Sequence, residues 1–178
     1  METRDYSVSM GKANLLAIVL MAPLVATLAA VFVARWSWAV LDRGLSDFID
    51  IRVAPPLIIL GIVSHEIIHA VTWAVASRRP LSAIAIGFQW RSLSPYAHPR
   101  APIGARAYRI GAAMPGLVLG LVPAVAAIAL GRPLLLVFGL LFTIAAGGDA
   151  LVLWLIRGVP PATLVRDHPT RAGCVVLE

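Results

Sequence analysis

His65, Glu66 and His69 stand in the order H-E-I-I-H. On a helix, that spacing puts two imidazoles one turn apart on one face, where both reach a single Zn²⁺. The glutamate beside the first histidine is then placed to activate a metal-bound water. The motif lies inside an apolar run, residues 54–77, long enough to cross a bilayer. Ionisable side chains at that depth are costly, so such a cluster reads by default as a functional site. The chemistry these residues suit is hydrolysis, foremost of a peptide bond. An ion- or proton-conducting His/Glu cluster is the competing reading, but it does not account for the one-turn spacing.

Catalytic zinc takes three protein ligands and keeps one position for water. Beyond His65 and His69, the candidates are few. Asp149, in G-G-D at 147–149, is the only acidic residue of the fourth apolar run. His69 stands nine residues before Arg78, and Asp149 eight before Arg157. At 1.5 Å per residue, these separations put both at about 12–13 Å from the same end of their helices. That common depth favours Asp149 as third ligand, with Gly147 and Gly148 leaving room for a neighbour or a substrate. His98 and His168 lie in connections on that same side and are accessory candidates, as ligand, transition-state donor or proton shuttle. Tyr108 and Arg109, at the start of the third run, are candidates for stabilising an oxyanion, set against interface anchoring.

Four apolar runs carry these residues: 13–34, 54–77, 108–130 and 133–156. The chain is 60% hydrophobic and 13% charged, with a mean hydropathy of +0.87. Soluble domains carry about 25% charged residues, so composition points to a multi-pass membrane protein. The first run is too long for the core of a cleaved signal peptide and reads as a retained helix. Ile84, Ile86 and Phe88 alternate with small or polar residues, which predicts a short strand after the motif helix. Its exposed edge is a place where an unwound peptide can add as a further strand. Pro95, Pro99 and Pro102 are expected to break regular structure beyond it, and the tail after Arg157 reads as extended. The lone cysteine, Cys174, forms no intrachain disulfide and reads as an ordinary thiol.

The net charge is +6, and the basic residues are spread among connections with no basic-aromatic patch for nucleic acid. Eleven of the fifteen lie at the N-terminus, between the second and third runs, or in the tail. The positive-inside rule then puts both termini and the long connection in the cytoplasm.

Taken together, H-E-I-I-H at 65–69, P-Y-A-H-P at 95–99, G-G-D at 147–149 and D-H-P at 167–169 resemble the bacterial and archaeal "putative zincin peptidase" family, formerly a domain of unknown function. The resemblance covers about residues 54–176. The order of features is also similar to that of site-2-protease-type intramembrane metalloproteases. Those usually carry an Asn-Pro-containing run ending in Asp-Gly, whereas here the glycines precede Asp149. The resemblance implies one Zn²⁺ per chain held by His65, His69 and Asp149, with Glu66 catalytic. The expectation is an all-α membrane protein of about four transmembrane helices, with a short β-strand or hairpin between the second and third. Residues 1–178 would form one integral membrane domain acting on a peptide or membrane-protein substrate. The alternative is a membrane zinc-binding protein or non-peptide hydrolase without protease activity.

Overall fold

The computed structural model describes residues 3–90 and 94–177; Arg91, counted above among the basic residues of the long connection, lies outside them. The chain opens with strand β1 (Thr3–Val8), followed by helix α1 (Met10–Trp36). Ser37, at φ +83, ends that helix, and the short amphipathic α2 (Trp38–Phe48) departs from it. Pro55 and Pro56 start α3 (Ala54–Ser77), where a missing N–H costs no helical hydrogen bond. A hairpin follows, β2 (Ile84–Gln89) against β3 (Ser94–Pro99), and then the short β4 (Ile103–Gly104). Helix α4 (Ala105–Pro115) runs through one π-helical stretch, Gly116–Leu121, into α5 (Val122–Leu130). Pro115 and Pro123 flank that stretch; neither has an N–H to give to the regular ladder.

Helix α6 (Pro133–Ala145) and α7 (Gly147–Leu155) meet at Ala146 with a bend of 41°. Gly147 lets α7 pass close to α1, since a Cβ there would lie 3.0 Å from that of Ala17. Strands β5 (Leu164–Asp167) and β6 (Ala172–Leu177) close the chain. They pair antiparallel with each other. β6 also pairs with β1 from Thr3–Leu177 to Val8–Ala172, and β5 pairs with β4.

The result is mostly helical but not all-α, because a four-stranded sheet in the order β1-β6-β5-β4 ties the two ends of the chain together. The extended tail of the sequence reading is thus a hairpin. Pro95 and Pro99 do not end regular structure either; both are strand residues of β3. Among the described residues, three helices, α1, α3 and the Ala105–Leu130 run, are long and apolar enough to cross a membrane, or four if the bent pair is one span. They expose large apolar side chains such as Ile18, Leu60 and Val122, each about six-tenths accessible. An amphipathic helix in water would bury its apolar face instead.

Two buried clusters hold the elements together. One joins α1, α2, α5 and α6 around Phe32, Leu41 and Leu136. The other packs Trp73, Tyr108, Ile156 and Val165 between the ends of α3, α4 and α7 and the sheet. Cys174 is buried in this second cluster, and burial pushes its thiol up to about 12.

Candidate metal centre

Helix α3 carries His65 and His69 on one face, and the first turn of α7 brings Asp149 to them. The bend at Ala146 matters here. It restarts the helix at Gly147, two residues before Asp149, so the Asp149 carboxylate sits at a helix N-terminus, where the backbone dipole favours an anion. The Nε2 atoms of His65 and His69 are 3.1 Å apart. Asp149 reaches His65 Nε2 at 3.2 Å and His69 Nε2 at 3.3 Å, one carboxylate oxygen to each. All three ligand atoms lie within 4.8 Å of one another, close enough to hold one metal ion.

The tautomer of His69 follows from its other nitrogen. Nδ1 lies 2.9 Å from the Gly111 carbonyl, which can only accept, so Nδ1 carries the proton and Nε2 of the neutral ring presents its lone pair. That carbonyl is free for a local reason. In a helix its partner would be the N–H of residue 115, which is a proline. Gly111 is also needed for space, because a Cβ there would overlap the Trp73 indole. Trp73 stacks on His69 with centroids 4.7 Å apart and 12° between planes, and its Nε1–H donates to the Tyr108 carbonyl at 3.0 Å. Tyr108 stacks in turn on Trp73 at 5.7 Å, and its hydroxyl donates to Asp167. Two ring nitrogens and a carboxylate therefore converge on one point, an arrangement that a cation balances. A tetrahedral zinc with bonds near 2.0–2.1 Å has ligand–ligand edges of about 3.3 Å, so the donor set and spacing fit Zn²⁺.

These residues open into a cleft of about 830 Å³. Glu66 lines it, with the backbone N–H of Ala97 in β3 near its carboxylate. The register of the hairpin explains this. Arg100 N donates to Ala83 O at 2.9 Å, which makes 85–98 and 87–96 the hydrogen-bonded pairs and leaves 86–97 unbonded across the ladder. Pro95, Ala97 and Pro99 consequently turn their backbone groups outward, on the edge that meets the cleft. Ile84, Ile86 and Phe88 turn theirs outward on the opposite edge, and none of the three lines the cleft. The β2 edge expected to receive a substrate therefore does not face the cleft, whereas the β3 edge does.

His98 and His168 line the same cleft without joining the group of three ligands. His98 stacks on Tyr96. The His168 Nδ1 accepts from the N–H groups of Thr170 and Arg171 at 3.2 and 3.0 Å, so a neutral ring carries its proton on Nε2. Tyr108 lines the cleft as well, whereas Arg109 does not. Arg109 caps the end of α7 by donating to the carbonyls of Ile156, at 2.8 Å, and Val159. Asp167 was not singled out from sequence. It is buried beside Tyr108, and burial raises its carboxyl above the usual range despite the hydroxyl it accepts. Trp73, Gly111 and Pro115 were missed too. Their signals are spacing: Trp73 follows His69 by four, and Pro115 follows Gly111 by four.

Residues 58–164 match the family described as "Putative zincin peptidase". The chain belongs to this family. The matched span holds all three metal-ligand candidates and Glu66, and it ends at the start of β5, before Asp167 and His168. The family implies zinc and peptidase chemistry. No curated protein and no solved structure matches the chain.

Proposed function

We propose that the protein is a membrane-embedded zinc metallopeptidase in which His65, His69 and Asp149 hold one Zn²⁺ and Glu66 is the general base. The observation that carries this reading is the convergence of two Nε2 atoms and a carboxylate, with the His69 tautomer set by Gly111. When bound, Zn²⁺ supplies a Lewis acid that polarises a carbonyl and makes water acidic enough to deprotonate near neutral pH. Glu66 takes that proton and returns it to the leaving amine. The Ala97 N–H steadies the carboxylate for both transfers. His168, with its Nε2–H turned to solvent or substrate, is the accessory donor this reading favours in the cleft.

A peptide bond inside a helix is shielded, so the substrate must first extend. We place the extended segment along the outer edge of β3, where the outward carbonyls of Pro95, Ala97 and Pro99 can accept its N–H groups. The whole chain acts as one integral membrane unit, with both termini and the cleft on the cytoplasmic side.

Glu66→Gln tests the assignment. The variant should keep its zinc and lose peptide cleavage by about 10²–10⁴-fold, the usual share of a general base. Undiminished cleavage by a zinc-loaded Glu66→Gln protein would remove the glutamate from the mechanism. A zinc-dependent function that survives the change would favour the non-hydrolytic, zinc-binding alternative.

A further inference from the structure

A second cavity, of about 460 Å³, opens where α3 ends and α4 begins, away from the metal centre. Arg78, Arg79 and Arg106 line it together with Ser77, Ile103 and Ile110. No acidic residue lines it, and among the described residues none of the three arginines has an ion-pair partner. Arg79 is held in place by donating Nη2 to the Pro102 carbonyl at 3.0 Å. Arg78 adopts φ +55, a left-handed conformation that helix ends usually give to glycine. A helix stop alone does not call for an arginine there. Ile110, four-tenths exposed, and Ala107 continue the wall of the cavity along α4.

We infer that this cavity binds the phosphate of an anionic phospholipid, with the arginines on the headgroup and the acyl chains along the Ile110 face of α4. Three arginines without an ion-pair partner around one cavity favour a phosphate, which arginine meets with paired N–H donors. The apolar wall beside them favours a lipid over a free anion. Basic pockets at the cytoplasmic ends of transmembrane helices are suited to such headgroups. The inference rests on the membrane-embedded part of the proposed function and is independent of its catalytic part.

Native mass spectrometry of the detergent-solubilised full chain, titrated with phosphatidylglycerol or phosphatidylcholine, reads this directly. The wild type should retain phosphatidylglycerol in preference. Arg78→Gln with Arg106→Gln should weaken that retention by about 30-fold. Arg157→Gln, which alters an arginine stacked on Trp154 outside the cavity, should leave it unchanged. Zinc content and thermal unfolding of each variant report whether the fold and the metal centre persist. Should the double variant unfold, Arg106→Gln alone must still lower retention about fivefold. Equal retention of both lipids, or retention untouched by the cavity variants in folded protein, would overturn the proposal. Displacement of the lipid by equimolar inorganic phosphate would assign the cavity to a free anion and overturn the lipid reading. Undiminished cleavage by Glu66→Gln, or full zinc in His69→Ala, with the lipid preference intact would sink the catalytic reading alone and leave this one standing.

Discussion

Pro115 acts on the metal centre without touching it. Because it has no N–H, the Gly111 carbonyl is left to receive the proton of His69 Nδ1, and the lone pair of Nε2 is aimed at the ligand point. Restoring the donor with Pro115→Ala should let the helix reclaim that carbonyl. Zinc affinity should then fall about 10–100-fold, the usual cost of losing a partner behind a ligating histidine. A competition titration with a chelating dye measures it, and an unchanged affinity would mean that Gly111 does not orient His69. At this scale the primary residues were legible. H-E-x-x-H declares its own geometry, and the depth argument picked out Asp149. The supporting residues were not legible, because their role depends on which helix packs beside α3. In the sequence Gly111 is one small residue of an apolar run, and only its position beside Trp73 and His69 shows its carbonyl as a hydrogen-bond acceptor.

At the scale of elements, the hairpin decides how a substrate meets Glu66. Ala97 occupies a position whose N–H takes no part in the ladder to β2, so it is free to bond the Glu66 carboxylate. Ala97→Pro removes that donor while leaving the ladder intact, since prolines already stand at the equivalent positions 95 and 99. We expect normal zinc content and a kcat/KM lowered about 10–100-fold, in line with the loss of a hydrogen bond to a charged group. A lowered zinc content would show instead that the hairpin had been dislodged. The alternation of Ile84, Ile86 and Phe88 was readable as a strand. Its partner was hidden by Pro95 and Pro99, which look like breakers until the pairing parity is known. The terminal sheet was hidden for a different reason. Tyr6 and Cys174 face each other across β1 and β6, yet they stand at opposite ends of the chain, beyond any local pattern.

At the scale of the whole molecule, composition was the clearest guide. A chain this apolar and this poor in charge has little means of covering itself in water, and its long helices expose the side chains that a soluble protein would bury. The distribution of arginine sets the proposed orientation. Fusions of a cytoplasm-active fluorescent reporter to either end should both report the cytoplasm, and a reporter in the α5–α6 turn beside Arg132 should report the opposite side; termini on different sides would reverse the orientation and the placement of the cleft. The bend between α6 and α7 was not legible, because Ala146 and the glycines after it are ordinary residues of an apolar helix. It is nevertheless the feature that turns Asp149 toward α3. The account therefore stands most directly on the metal content of the purified chain, measured by elemental mass spectrometry for the wild type and for His69→Ala and Asp149→Ala. It predicts about one zinc per wild-type chain, little or none in His69→Ala and a marked loss in Asp149→Ala; a full complement of zinc in both variants would contradict it.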